Sequence, residues 1–194
     1  MESIITDKRT WSRSDVAELL ISKTALTELT LAHALQIVRL LTPQRIKAGA
    51  VLIQEGVTST GYMALVLQGE AVVANEMRGS LHDSMVLSML GSGSLFGELG
   101  VLDGKPRSAT VTAVTDMDIA VLDRPALARL IETVPDVACA LMGAIMARVA
   151  ERLRATNIKV KTLTAQNLSL LDEVAALRAR GGRPAVDLNL DSAG

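Results

Sequence analysis

Residues Phe96–Ala113 read FGELGVLDGKPRSATVTA, and this stretch decides the fold. Gly97 and Gly100 stand where the backbone must turn tightly, and the residues around them can open a short helix whose free N–H groups face an anion. Residues 109–113 alternate between small or apolar side chains and threonine, which is typical of a half-buried β-strand. The stretch therefore predicts a turn, a helix and a strand built around an anion.

Charged side chains of complementary chemistry stand in the same stretch. Arg107 carries a planar fork of donors that matches two phosphate oxygens, a geometry that lysine does not reproduce. Glu98 can accept a hydrogen bond from a ribose hydroxyl, and Ser108 adds a small donor beside Arg107. Either fragment alone is more typical of an ordinary loop or of a solvated surface charge. At this spacing the two together indicate a binding site.

The order of these residues resembles the phosphate-binding cassette of cyclic nucleotide-binding domains, which occur in catabolite activator proteins, cAMP-dependent kinase regulatory subunits and nucleotide-gated channels. The resemblance implies that Glu98 binds the ribose and Arg107 the phosphate, with cradle contacts from Gly97, Leu99 and Ser108. It also implies a mainly β fold, in which an antiparallel, jelly-roll-like β-roll is flanked by helices.

Short apolar segments separated by turn residues run over 43–122 and predict the strands of this roll. The predicted strands are Arg45–Lys47, Val51–Gln54, Tyr62–Gln68, Glu70–Asn75, Ser84–Met89, Thr110–Val114 and Asp118–Leu122. Matched to the family, Val73 and Leu87 would face the purine and the ribose. A shift of one residue in register would reverse their facing, and ordinary core positions are the alternative for both.

Helices are predicted on both sides of the roll. Residues 1–13 are mixed and polar, and they predict a flexible lead-in. Two helices are predicted over 15–41, the second from about Ala25 to Leu41, where two apolar stripes indicate a largely buried helix. Further helices over 124–155 complete a domain predicted at 14–155.

The composition limits the classes of function. Lys and Arg total 20 against 21 Asp and Glu, so the basic footprint of a dedicated DNA-binding protein is lacking. Cys139 is the only cysteine, which excludes an internal disulfide, and it is expected to be a small buried hydrophobe. No stretch reaches the ~20 apolar residues of a spanning helix. A cytoplasmic protein without a membrane partner is the expectation.

A long helix is predicted from about Asp136 to residue 180, which is longer than a compact domain of this size needs. Seam residues recur along it at alternating three- and four-residue steps, as in a coiled coil. They are Met146, Val149, Leu153, Thr156, Val160, Leu163, Asn167, Leu170, Val174 and Leu177. Valine at a, leucine at d and the single polar Asn167 at a favour a parallel homodimer, with residues 156–180 as its extension. The alternative is one amphipathic helix packed along the roll. Residues 181–194 predict a flexible tail.

The segment 152–157 resembles the part of the long helix of catabolite activator proteins where polar side chains from both subunits meet the purine edge. Thr156 takes the position of the same-subunit contact, and Asn157 replaces a serine at the cross-subunit position, which leaves the base preference open. The structural alternative is that the Thr156 hydroxyl bonds back to its own helix.

These observations predict a cyclic nucleotide receptor that is not an enzyme. Transcription factors of the family carry a helix-turn-helix domain after the long helix, and residues 183–194 contain no recognition helix, so direct DNA binding is not expected. No catalytic set or metal-ligand spacing stands in the sequence. We expect a homodimer that binds cAMP without a metal and signals to a separate protein effector through a ligand-dependent shift of the roll against the long helix. The alternatives are a non-signalling dimerisation scaffold and a receptor for cGMP, a cyclic dinucleotide or another phosphate.

Overall fold

The computed structural model describes residues 4–6, 9–58, 61–76 and 84–180. The strands are β1 (Ile4–Thr6), β2 (Arg9–Trp11), β3 (Thr42–Ile46), β4 (Val51–Ile53), β5 (Tyr62–Gln68), β6 (Ala71–Glu76), β7 (Ser84–Leu90), β8 (Leu95–Phe96), β9 (Thr110–Ala113) and β10 (Met117–Asp123). The helices are α1 (Arg13–Leu20), α2 (Leu31–Val38), α3 (Glu98–Asp103), α4 (Arg124–Thr133) and α5 (Pro135–Arg180). A mainly β fold with flanking helices and a long C-terminal helix is thereby confirmed.

Two four-stranded antiparallel sheets form the roll, and their strand orders are β3-β10-β5-β8 and β4-β9-β6-β7. All seven predicted strands are present with ends shifted by a few residues, and β8 is an addition. The two residues of β8 pair with Ala64 and Leu65 of β5. This pairing matters for the site because β8 leads directly into the stretch that begins at Gly97.

Strand β5 is apolar throughout because both of its faces are covered. Met63, Leu65 and Leu67 belong to a first core that they share with the helices. Ala64 and Val66 belong to a second core, which the two sheets of the roll share. The continuous apolar run is therefore the sequence signature of a strand buried on both sides.

The described chain divides into two compact units, one ending at Val149 and the other beginning at Ala150, and α5 contributes to both. The first unit holds the roll and the flanking helices. In the second unit Ala150 is half-buried, and every side chain from Glu151 to Arg178 is exposed in the single chain. The domain end predicted at 155 stays a prediction, and the tail predicted at 181–194 lies outside the described residues.

None of the helices in the described ranges is long and apolar enough to cross a membrane.

The flexible lead-in predicted over 1–13 is wrong for the residues that the structure describes. Strand β1 pairs with β2, and α1 begins at Arg13. The side chain of Trp11 is buried, and its Nε1 donates to Oδ2 of Asp118 at 3.5 Å. Burial of the large indole surface ties this end of the chain to the roll.

The helix predicted from Ala25 to Leu41 is shorter, and the prediction that both of its stripes are buried is wrong. Thr30 caps α2, because its hydroxyl accepts from the backbone N–H of His33 at 3.2 Å, so the helix begins only at Leu31. Residues Ala34, Ile37 and Val38 form its buried face. Leu31 and Leu35, which share a predicted stripe with the buried Val38, are 43% and 37% exposed.

Cys139 is exposed on α5, so its expected burial is also wrong. The buried residues of this part of α5 are Val137, Ala138, Leu141, Ala144 and Ile145. This spacing defines one face of a helix, and position 139 falls outside it.

Candidate functional site

Residues 97–109 form a compact segment between β8 and β9. Gly97 caps α3 with φ 77°, a left-handed conformation that favours glycine, and its carbonyl accepts from the N–H of Gly100 at 3.2 Å. The helix ends at Gly104, which has φ 64°. The chain then runs through Arg107 into β9. The predicted turn, short helix and strand are therefore all present.

The backbone of Arg107 is held by the segment that follows β4. Its N–H donates to the carbonyl of Val57 at 3.2 Å, and its own carbonyl accepts from the N–H of Gly56 at 2.9 Å. These two bonds fix the point from which the side chain starts, so its direction is set by the fold rather than by solvent.

The Arg107 side chain is turned inward and is only 8% exposed. Its Nη1 donates to the carbonyl oxygens of Gly97 at 3.1 Å and Tyr62 at 3.3 Å, and its Nη2 donates to Tyr62 at 3.3 Å. Its Cζ also lies over the Tyr62 ring, 5.1 Å from the centroid. The guanidinium is therefore in contact with two backbone carbonyls and an aromatic ring.

Glycines make room for this arginine. A β-carbon at Gly100 would overlap Nη1 and Cζ of Arg107. A β-carbon at Gly97 would come within 2.6 Å of the Tyr62 carbonyl oxygen. The backbones of Gly61 and Gly100 approach each other too closely for a β-carbon at Gly61. The close approach of three backbone segments thus forms the space that the guanidinium occupies.

Glu98 is the first residue of α3 and is 3% exposed. Carboxylates and guanidinium groups are rarely buried to this extent, because desolvation of the charge is costly. Glu98, Arg107 and Asp118 are the buried charged residues in the part of the chain whose side chains are described. Two of these three fall within a single loop, which indicates a site rather than core packing.

The other predicted cradle and pocket residues lie in different environments. Leu99 is 42% exposed, and Ser108 is exposed beside Arg107. Val73 is 6% exposed and belongs to the second core together with Phe96. Leu87 is 36% exposed, and the facing of Val73 and Leu87 toward a purine and a ribose stays a prediction.

The ladder between β6 and β7 is irregular beside Val73. Val73 pairs with Ser88 and Ala74 pairs with Val86, which leaves Leu87 as an extra residue between two pairs. Such a bulge turns the extra side chain away from the regular alternation. Sequence alternation alone predicts neither the presence of a bulge nor its position.

Thr156 and Asn157 both lie on α5 in the second unit, and both are exposed. The Thr156 hydroxyl donates to the carbonyl of Arg152 at 2.8 Å, which is the structural alternative of bonding within its own helix. The contacts of these two residues with a base stay predictions.

The predicted coiled-coil seam is exposed along most of its length. Val149 is the exception, because it is half-buried against the first core. The exposed apolar residues of the seam are Met146, Leu153, Val160, Leu163, Leu170, Val174 and Leu177. Asn167 is exposed among them.

Tyr62 is the residue of the site that sequence reasoning missed. It was predicted only as the first residue of a strand. Its phenolic hydroxyl donates to the carbonyl of Leu52, and its ring faces Arg107. Burial raises the pKa of Tyr62, and the positive charge of Arg107 opposes that rise. The available signal was that the chain's single tyrosine follows Gly61 at the start of a buried strand.

Within the part of the chain that the structure describes, no group of three or more His, Cys, Asp or Glu side chains is placed to hold a metal ion.

Comparison with known proteins gives consistent matches. The family model of the cyclic nucleotide-binding domain matches residues 43–134. A cyclic nucleotide-gated potassium channel of Rhizobium etli is 36% identical over 88 residues, which are 45% of this chain and 22% of the channel. The cAMP-activated global transcriptional regulator of Escherichia coli O6:H1 is 32% identical over 124 residues, 63% of this chain and 53% of the regulator.

Among solved structures, the crystal structure of a cyclic nucleotide-binding domain from Methylobacillus flagellatus superposes with a TM-score of 0.63. The superposition covers 73% of this chain and 78% of that domain at 22% identity, and it supports the fold alone. The chain spans only 22% and 53% of the channel and the regulator, so the sequence matches concern part of each relative.

Proposed function

Residues 43–134 belong to the cyclic nucleotide-binding domain family, and from this premise we propose that the chain is a cyclic nucleotide receptor and not an enzyme. The observation that carries the proposal is the burial of Glu98 and Arg107 in one glycine-lined loop. In the proposed complex Arg107 pairs with the cyclic phosphate and Glu98 accepts from the ribose 2′-hydroxyl. Gly97, Leu99 and Ser108 contribute to the cradle.

The guanidinium is suited to a phosphodiester because it already points its donors in one plane. In the structure these donors contact the carbonyl oxygens of Tyr62 and Gly97 at 3.1–3.3 Å. A phosphate oxygen is a stronger acceptor than a neutral carbonyl, because the hydrogen bond is then charged on both sides. The ligand therefore competes favourably for the same donors.

cAMP is the first ligand to test. In this proposal Thr156 and Asn157 contact the base, and Val73 belongs to the apolar wall. Ser108, exposed beside Arg107, can reach the amino group of a guanine, so cGMP is the second ligand. The E. coli relative is described as cAMP-activated, which supports this order.

The proposed receptor is a parallel homodimer through the seam on α5. Its mechanism is a population shift, in which the nucleotide favours one arrangement of the roll and the long helix. A tenfold gain in affinity for a protein effector then requires about 1.4 kcal/mol of differential binding. The effector is a separate protein, and direct binding to DNA is not part of the proposal.

Isothermal titration with cAMP, and in parallel with cGMP, tests the proposal after bound nucleotide is removed by denaturation and refolding. We expect one nucleotide per chain. Arg107→Ala should weaken binding about a hundredfold, because charge-assisted bonds to the phosphate are lost. Arg129→Ala, at an exposed position of α4, is the matched control and should bind as the wild type does.

Two outcomes would contradict the proposal. Equal affinity in the wild type and in Arg107→Ala would mean that the site lies elsewhere. Absence of binding for cAMP, cGMP and a cyclic dinucleotide would favour the dimerisation scaffold.

A further inference from the structure

The single tyrosine of the chain lies at the point where the site meets the roll. Tyr62 is the first residue of β5 and follows Gly61, whose backbone approaches that of Gly100. The family resemblance assigned no role to this position. The structure places this tyrosine against Arg107.

Tyr62 contacts Arg107 in two independent ways. Its carbonyl oxygen accepts from both Nη1 and Nη2, each at 3.3 Å. Its ring lies under the guanidinium, with Cζ 5.1 Å from the centroid. Any residue would supply the carbonyl, but only an aromatic side chain supplies the ring face.

The ring itself is fixed in place. Its hydroxyl donates to the carbonyl of Leu52, and the residue packs, half-buried, against the second core. The backbone of Gly100 also approaches the guanidinium closely, because a β-carbon there would overlap Nη1. Arg107 thus contacts both a held aromatic ring and a backbone position that has no side chain.

We propose that Tyr62 is a positioning residue for Arg107, whose ring holds the guanidinium in the cradle where a cyclic phosphate would bind. A guanidinium stacks well on an aromatic face because it is planar and weakly hydrated. Fixing it before the ligand arrives lowers the entropic cost of binding. The inference rests on the proposed function, since it names how this chain orients the phosphate-binding group.

Two variants separate the ring from the rest of the residue. Tyr62→Phe keeps the ring and loses only the bond to Leu52, so its cAMP affinity should stay within about twofold of the wild type. Tyr62→Leu keeps an apolar side chain and the backbone carbonyl but loses the ring face. We expect it to bind cAMP about fivefold more weakly. Equal binding of Tyr62→Leu and wild type, or equal weakening in both variants, would overturn the inference.

A double-variant cycle with Arg107→Lys adds a readout that a general packing defect would not give. Lysine keeps the charge but has no planar group to stack. If the ring acts through the guanidinium, Tyr62→Leu should weaken cAMP binding less in the Arg107→Lys background than in the wild type. The same loss in both backgrounds would assign the ring a structural role and overturn the inference.

The contact can also be tested without any nucleotide. Because Tyr62 is the only tyrosine, its ionisation is read directly from ultraviolet absorbance in an alkaline titration. Arg107 lowers the pKa of Tyr62 against the rise caused by burial, so Arg107→Ala should raise that pKa further. Arg129→Ala should leave it unchanged. An unchanged tyrosine pKa in Arg107→Ala would show that the contact is not made.

The two kinds of failure are therefore distinguishable. A wild-type chain that binds no cyclic nucleotide contradicts the proposed function, whatever the tyrosine titration gives. A chain that binds cAMP while Arg107→Ala leaves the tyrosine pKa unchanged contradicts only the role of Tyr62.

Discussion

The guanidinium of Arg107 occupies the space that a side chain at Gly100 would need, since a β-carbon there would overlap Nη1. The requirement for glycine at position 100 comes from this contact, because only Gly97 and Gly104 of this loop's glycines have positive φ. Within α3, alanine would otherwise be favoured over glycine by about 1 kcal/mol. The Gly100→Ala variant therefore tests whether the position of Arg107 matters for binding.

We predict that Gly100→Ala folds but binds cAMP at least about tenfold more weakly, a loss of about 1.4 kcal/mol. The guanidinium is the far end of a flexible side chain, so it can move aside, but it then leaves its place beside Gly97 and Tyr62. Titration calorimetry with denaturant unfolding checks both parts. Gly91→Ala is the control, because a β-carbon there meets no atom within 4 Å. Unchanged affinity in Gly100→Ala would contradict the prediction.

Arg148 of α5 joins two segments of the first unit. It donates through Nη1 to the carbonyls of Thr24 and Ala25 and through Nη2 to that of Leu95, at 3.3 Å for the last. Arg148→Met keeps the apolar stem but leaves these carbonyls without the donor. We predict a loss of about 1–3 kcal/mol in the free energy of unfolding, measured by urea denaturation.

Arg148→Lys should recover only part of that loss, because one ammonium does not reproduce the fork of donors. The control is Arg154→Met, an exposed position farther along the same helix. Equal unfolding free energies for Arg148→Met and Arg154→Met would show that the three bonds contribute nothing.

Asp116 leads to a prediction about the stability of the fold at acid pH. Its carboxylate accepts from Nζ of Lys47 at 2.8 Å and from the N–H of Ala48 at 3.0 Å. These two hydrogen bonds hold the pKa of Asp116 below its usual value of 3.8, and the bond from Lys47 has the larger effect. Because the folded-state pKa is depressed, the contribution to stability is fully present above pH 3.8 and is lost as the pH falls through the folded-state pKa.

The Asp116→Asn variant should therefore be less stable than the wild type near neutral pH, and the difference should vanish in strong acid. The effect is small because the carboxylate is solvent-exposed and screened. Thermal unfolding of both proteins across the acid range measures it. A difference that stays constant down to pH 2 would mean that the charge of Asp116 is not the cause.

The cassette and the strands were predictable because their determinants are local. The positive φ of Gly97 and the alternation of β9 depend on neighbours in the chain, and both are present as predicted. The Tyr62–Arg107 contact joins residues 45 apart, and no pattern along the chain encodes it. This long-range contact could therefore be seen only in the folded structure.

The errors have equally specific causes. The apolar spacing over 25–41 is helical throughout, but the capping bond of Thr30 makes α2 begin at Leu31, six residues later than the predicted start at Ala25. Cys139 has the hydrophobicity of a core residue, yet the phase of α5 turns it outward. A capping bond thus overrode the periodic pattern before α2, whereas on α5 the helical phase overrode the hydrophobicity of a single residue.

The last prediction concerns the proposed dimer. Asn167 is an exposed polar residue at an a position between the apolar seam residues Leu163 and Leu170, which are 56% and 57% exposed in the single chain. A lone asparagine at a fixes register and strand number at a cost in stability. Asn167→Leu should therefore raise the stability of the helix while it broadens the distribution of oligomers beyond the dimer.

Sedimentation velocity of the wild type and of Asn167→Leu measures this effect, with thermal unfolding at matched concentration. Ser169→Leu is the matched control, because it adds the same side chain to α5 at a c position outside the seam. It should remain a dimer. If Asn167→Leu also stays strictly dimeric, Asn167 does not specify the oligomer, and if the wild type sediments as a monomer, the seam does not pair at all.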